Sequence, residues 1–551
     1  MAVWAAPVIA TGNAIVNASS YAPDIAQGSW FVVFGTGMGP ATLAAASGLP
    51  YPTQLSGTSV NFTPTSGGSP VTALLWYTSA GQLAGLLPST AAIGIYNVTV
   101  AYNGQTSAPQ QVNVVAHNFG FATQAQNGQG PAQATYGGYN LNRFTTGTLG
   151  QYALHPAHAG DTMILWGTGL GPDAASDIEG GTSGDMTAAA QVQVMVGGIA
   201  VTPLYAGRSS GSPGLDQINF VVPAGVQPGC FVNLQVQAGG KTSNFGAIAV
   251  ADAGQSSCSA PLLTQAQLAR LDQGGSVVLG TLSLSKATST QGSIPYSTEG
   301  ASGWFGRYTV GNIGTATGFS FSQAGSCYVY TVTGTAPQVA STTPPAPLDA
   351  GAQLTLNGPN LSNTVLPETQ GATGIYDATW YSSGFEGIGK HGTPALQPGT
   401  YTISGTGGAD IGPFTASVSF PDFTWTNQTQ FSAPITRGTA LPITWTGGSP
   451  GLVSISGSSE TGGNATNPLY RRTVFVCTVS ASAGNFTVPV SVLQQLPVSS
   501  GNGSDIYLSV YATPDYTKSQ GTFSAPLSAG GTIDQGYFSN SVGSSIVTGW
   551  D

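Results

Sequence analysis

The chain has 551 residues, of which 41% are hydrophobic and only 6% charged, with 79 glycines, 36 prolines and a net charge of −10. A globular protein ordinarily carries about 25% charged residues. With 11 Lys and Arg in all and no basic cluster beyond the pair Arg471 and Arg472, the sequence excludes the basic footprint of a nucleic-acid binder and a polybasic membrane-surface segment. Its hydrophobic content excludes a disordered chain, its length predicts roughly three to five domains, and no segment reaches the roughly 18–20 apolar residues of a transmembrane helix.

Residues 1–10 are apolar, but too few and without the basic start that an export signal needs. Secretion is therefore expected from composition alone. Asp24 is the only formally charged side chain before Arg143. A β-rich stretch so poor in charge lacks the usual guard against edge-to-edge pairing. A pairable strand edge is therefore expected, either capped by a neighbouring module or used for self-association, with the extended opening from Pro7 to Tyr21 as a candidate pairing strand; the alternative is that proline, glycine and bulges already blunt the edges.

An internal repeat follows. Trp30-Phe31-Val32-Val33-Phe34-Gly35-Thr36-Gly37-Met38-Gly39-Pro40 matches the stretch from Thr162 to Pro172 (TMILWGTGLGP), and Gln82 to Pro88 (QLAGLLP) matches Gln217 to Pro223 (QINFVVP). Two copies of one domain are expected at residues 10–116 and 118–258. Within the first, Tyr96, Val98, Val100 and Tyr102 alternate with polar or small residues, the period of a half-buried strand. Asn103-Gly104 then signals a hairpin.

Several clusters along the copies invite chemistry. The glycines Gly35, Gly37 and Gly39, and their counterparts from Gly167, lack the G-x-G-x-x-G spacing of a dinucleotide loop and read as loop glycines. His155, His158 and Asp161 form a loose metal-like group, but Pro156 and Gly160 mark a turn there. Asp173, Asp177, Glu179 and Asp185 gather hard oxygen ligands in one loop and are calcium candidates, although the EF-hand spacing is absent. Gly207-Arg208-Ser209-Ser210-Gly211 matches a nucleophile elbow, yet glycine, proline and a strand follow where a helix is needed. The downstream histidine, His391, lies beyond a linker. No catalytic residue is assigned and no cofactor other than Ca²⁺ is considered. Trp76, Trp304 and Trp380, with Trp425 and Trp445, are either sandwich core or sugar-stacking platforms.

The four cysteines, Cys230, Cys258, Cys327 and Cys477, form no C-x-x-C and suit an oxidising compartment. Cys230 is expected to bond Cys258. Cys327 with Cys477 is the remaining pair, and it has to bridge separate modules. Thr264 and Gln267 form a capping box ahead of Leu268 and Leu271, so one short helix is expected near residues 262–271. Strands resume from Ser276. A Thr- and Pro-rich linker at 334–347 separates a β-rich module at 259–334 from Ig-like modules at 348–420 and 421–551.

The segment NAIVNASSY from Asn13, the two G-T-G-x-G-P turns, the QINFVVP stretch and Pro228-Gly229-Cys230 resemble an Ig-like C-terminal-region family of secreted soil acidobacterial (Solibacter-type) proteins. The turns also resemble IPT/TIG-type Ig-like domains. The resemblance covers about residues 10–258. Further on, the stretches from Leu396 to Phe414 and from Phe486 to Pro497 are similar to modules that accompany that region. It implies secretion and an Ig-like fold, and supplies no activity.

The expected fold is all-β: tandem Ig-like β-sandwich modules with one short helix. The expected function is a non-enzymatic extracellular scaffold, adhesive or fibre-forming, secreted or at the cell surface. The alternative is a carbohydrate-binding secreted protein. A secreted hydrolase comes third and requires a Ser/His/Asp or paired-carboxylate geometry assembled across modules.

Overall fold

A computed structural model of the chain describes residues 5–137, 140–179, 184–260, 262–291, 294–313, 324–333, 345–381, 396–461, 471–499, 506–515 and 521–551. It is an all-β protein of stacked sandwiches.

The first module packs two six-stranded sheets face to face. One is built around Trp30–Thr36 and Gln82–Leu86, the other around Gly94–Tyr102 and Thr58–Pro64. The run of five apolar residues from Trp30 serves both faces of its strand. Phe31 and Val33 enter the sandwich core with Phe62, Leu75, Tyr96 and Val98, and Val32 and Phe34 line the outer face with Val16 and Tyr77. Asn103 and Gly104 both have positive φ, +48° and +79°, and close the hairpin between Tyr102 and Gln105. Two consecutive left-handed residues match the twist of the flanking strands, hence the Asn-Gly signal.

The extended opening is consumed within this module. Val8–Ile9 and Ile15–Asn17 both pair antiparallel with Trp30–Thr36, and Ile9, Ala14, Ile15 and Val16 are buried. The candidate pairing strand thus covers the edge of its own sheet.

The second module repeats the plan with sheets of eight and five strands. Thr162–Thr168 lies antiparallel to Asp216–Val221, as Trp30–Thr36 lies to Gln82–Leu86. Trp166 faces Gln217 as Phe34 faces Gln82, so the repeated motifs occupy equivalent places. The glycines of the repeated turn divide into two kinds. Gly37 and Gly169 have positive φ, +65° and +109°. Gly35 and Gly167 instead make room, because a Cβ there would lie 2.1 Å from the Val8 carbonyl oxygen and 2.3 Å from that of Gly120.

The expected helix is Gln265–Asp272, with Thr264 and Gln267 forming both bonds of the capping box. Two single turns, Ser176–Glu179 and Val490–Leu493, add to it. Beyond the helix, one ten-stranded sheet takes strands from residues 276 to 547. Ser276–Gln291 and Ile294–Thr309 form a long hairpin, and the C-terminal strand Gln535–Val547 runs parallel beside the first of them. The boundaries drawn at 334, 348 and 420 therefore fall inside a single hydrogen-bonded unit. Two smaller sheets cover the same face of this large one. The four-stranded sheet closes a core of Leu282, Leu284, Phe305, Tyr401 and Phe414. The three-stranded sheet closes a core of Trp425, Trp445, Ile455, Phe475 and Trp550. Among the described residues no helix is long and apolar enough to cross a membrane.

Candidate functional site

Two junctions and one exposed aromatic face hold the side chains that ordinary core packing does not explain. The first junction joins the two repeat modules. Arg208 ends the strand Tyr205–Arg208 and faces Asp216 across its hairpin. Both are buried and ion-paired. Arg208 also donates to the carbonyl oxygens of Gly28 in the first module and Gly171 in the second, each at 2.6 Å. Asp216 accepts from the Leu170 N–H at 2.8 Å. Burial pushes the Asp216 carboxyl up, and Arg208 and the Leu170 N–H pull it back.

More bonds cross the same junction. Asn17 donates to the carbonyls of Asn118 and Thr168, and Asn118 donates to those of Pro23 and Asp24. The Ser89 N–H and hydroxyl both donate to Asp177. Lys241 pairs with Asp24 at 3.3 Å.

The second junction joins the repeat pair to the large sheet. Cys230 is bonded to Cys258, with Cα atoms 5.0 Å apart. The bond sits in an apolar cluster with Phe144, Phe231, Leu268, Leu271, Leu279 and Tyr537, which ties the second module, the helix and the large sheet together. Asp272 accepts from the backbone N–H and hydroxyl of Thr145, each at 2.8 Å. Phe245 stacks on Tyr328 at 4.3 Å. Cys327 is bonded to Cys477. These two lie directly opposite on neighbouring strands of the large sheet, so the bond staples one sheet rather than bridging modules.

The other clusters read from the sequence are placed as follows. Ser209 lies in the turn between Tyr205–Arg208 and Asp216–Val221, its N–H bonded to the Leu215 carbonyl, and a strand follows the turn. His391 lies outside the described residues. His158 contacts Asp161 at 3.6 Å and the Gln255 carbonyl at 2.9 Å, whereas His155 contacts Thr146 and packs edge-on to Tyr136. Of the calcium candidates, Asp177 is committed to Ser89 and Asp185 to Thr187. The Asp173 N–H donates to the Ser89 hydroxyl, and the Glu179 side chain is outside the described residues. Among the described residues no three His, Cys, Asp or Glu side chains converge as a metal site would require.

One cleft in the large sheet is lined by Glu299 and Asp377. Neighbouring residues of a strand point to opposite faces. Asp377 pairs with Ser302, and Glu299 lies an odd number of places from Ser302, so the two carboxylates leave the sheet on opposite sides. Glu299 is occupied by Lys286 at 3.1 Å and the Leu396 N–H at 2.9 Å. This pair does not form a two-carboxylate catalytic geometry.

Trp425 and Trp445 are core residues, 5% and 3% exposed. Trp304 is half-buried against the second junction, and the Trp380 side chain is outside the described residues. Trp76 is 39% exposed and stacks on Trp30, with centroids 4.7 Å apart.

Sequence reasoning missed the role of Arg208. It is only the second Lys or Arg of the chain, and that isolation was the available signal.

No protein-family model and no curated protein matches the chain. Among solved structures it is similar to domains 5–6 of the S-layer protein SbsC, at 15% identity and TM-score 0.18, over 45% of this chain and 99% of that one. It is also similar to Sidekick-1 immunoglobulin domains 1–4, at 12% identity and TM-score 0.13, over 96% and 98%. A third similarity is to the SGBP-B of a Bacteroides ovatus mixed-linkage glucan utilization locus, solved with a heptasaccharide, at 12% identity and TM-score 0.13, over 89% and 92%.

Proposed function

We propose that the chain is a non-catalytic extracellular scaffold, an adhesive or fibre-forming surface protein whose modules are held in one relative orientation. The observation that carries this reading is the first junction. Arg208 and Asp216 are buried there, and Arg208 bonds directly to the neighbouring module. Domains of one chain usually meet through small, polar, mobile interfaces. A buried, hydrogen-bonded charge pair requires good geometry to offset its desolvation, so it favours one arrangement over many. The disulfide and the apolar cluster at the second junction act in the same sense. Two disulfides also favour an oxidising location outside the cytosol. The acidobacterial resemblance of residues 10–258 fits such a location.

Negative-stain electron microscopy of the purified chain tests the reading. The expected images have modules in one arrangement, either as single particles or repeated along filaments. Particles with modules in many arrangements would overturn it. So would hydrolase turnover that is lost on Ser209→Ala.

A further inference from the structure

We propose that the outer face around Trp76, at the margin of the first junction, binds a neutral polysaccharide. This goes beyond the scaffold reading and does not depend on it.

The strand Leu74–Thr78 carries a bulge. Leu75 pairs with Gly85 and Tyr77 with Ala84, which leaves Trp76 as the extra residue. A bulge re-aims its side chain, and the Ala46 N–H holds this one through the Trp76 carbonyl at 2.8 Å. The Trp76 ring lies on Trp30, inclined by 26°, and meets Tyr77 edge-on at 5.3 Å. Trp30 cannot yield, because Gly214 of the second module closes over it. A Cβ at Gly214 would stand 2.3 Å from the Trp30 indole. One indole is therefore backed by another and by the junction itself, while Trp76 remains 39% exposed.

A rigid aromatic face at a module boundary suits a ligand with a flat apolar side and polar edges. The π-face is electronegative, and the C–H side of a pyranose ring is its electropositive complement. Polar groups stand beside it. Gln82 donates to the Tyr77 hydroxyl at 2.5 Å. The Tyr77 phenol, pushed up to about 12 by burial and the neighbouring Tyr21, adds an uncharged polar group beside the ring.

Charge selects among ligands. Asp24 is the only formally charged side chain in residues 1–142; it is 2% exposed and paired with Lys241. This module thus offers no cation to an anionic glycan and no charge to a peptide.

Affinity electrophoresis of the full chain through gels containing hydroxyethylcellulose, glucomannan or laminarin, with anionic polygalacturonate alongside, tests the proposal. At least one neutral polymer should retard the chain and polygalacturonate should not. Trp76→Ala should weaken retardation at least about tenfold. Trp76→Phe should keep part of it, and Val365→Ala, an exposed apolar residue elsewhere, all of it. A thermal midpoint for Trp76→Ala near that of the parent excludes misfolding as the cause. The proposal is overturned if no neutral polymer retards the parent, if Trp76→Ala and Trp76→Phe bind as the parent does, or if light scattering shows that Trp76→Ala dissociates an oligomer, which would make the face a contact between copies.

Discussion

Replacing Arg208 with alanine should destabilise the protein by about 3–5 kcal/mol, the range for breaking a buried ion pair from one side. Arg208 and Asp216 are 1% and 0% exposed. Truncation leaves the Asp216 carboxylate buried, with its bond from the Leu170 N–H but without its cation. It also removes donors to the carbonyls of Gly28 and Gly171, and hydrogen bonds of charged groups contribute about 1.5–3 kcal/mol each. These contributions do not add, because one guanidinium makes all of them. The double change Arg208→Met with Asp216→Leu separates the two roles. Inside the second module it exchanges the charge pair for apolar volume, close to neutral in itself, but leaves the Leu170 N–H and the Gly171 carbonyl unpaired. Across the junction it leaves the Gly28 carbonyl without its donor. Urea unfolding followed by tryptophan fluorescence should show the full loss in the single variant. The double variant should recover the part due to the unpaired carboxylate, but the repeat modules should unfold in separate steps. A single-variant loss below about 1 kcal/mol would refute the reasoning.

Other outcomes are expected from the same structure. Opening Cys230–Cys258, which spans 28 residues, should cost about 3.5 kcal/mol of loop-closure entropy, and opening Cys327–Cys477, which spans 150, about 5 kcal/mol; midpoints of Cys→Ser pairs that do not fall would contradict this. Deleting residues 7–20 should expose the edge of Trp30–Thr36 and lower the midpoint, since Ile9, Ala14, Ile15 and Val16 are buried; an unchanged midpoint in a monomer would count against it. Trp550→Ala should cost about 3–5 kcal/mol, because the ring is fully buried against Phe475 and its N–H bonds the Ser458 carbonyl; chemical denaturation measures it. Burial pushes the carboxyls of Asp177 and Asp272 up, so the folded chain holds more protons than the unfolded one from about 3.9 up to the raised values. Stability therefore falls as pH rises through that window, and the midpoint should hold or rise between pH 7 and 5; a steep drop over that interval would be the contrary result.

Local chemistry was readable from the sequence wherever a few adjacent residues decide the geometry. Asn103-Gly104 dictates its hairpin, and Thr264 with Gln267 its helix start. The repeated turns placed two strands in equivalent positions, 132 residues apart. Cys230 with Cys258 was legible from their closeness in sequence, and Cys327 with Cys477 only as the pair that remained, since four cysteines allow three pairings. What was not readable depends on pairing at long range. The sequence marked a strand from Ser276, but nothing local says that Gln535–Val547 lies beside it across more than 240 intervening residues. The module boundaries at 334, 348 and 420 were drawn from composition, which does not register that pairing. Arg208 sat in a motif that suggested chemistry at Ser209, and only the hairpin register turns it towards Asp216 and the next module. Trp76 was one of several tryptophans in the sequence, and a one-residue bulge distinguishes it.

The central claim is that the modules keep one relative orientation, and a distance distribution across the first junction tests it most directly. Spin labels at Ile95→Cys in the first module and Leu204→Cys in the second sit on exposed positions, and all four native cysteines are in disulfides. Pulsed dipolar spectroscopy should give a single narrow distance in the parent, which broadens in the Arg208→Met, Asp216→Leu double variant. A broad distribution in the parent, unchanged in the double variant, would contradict the account.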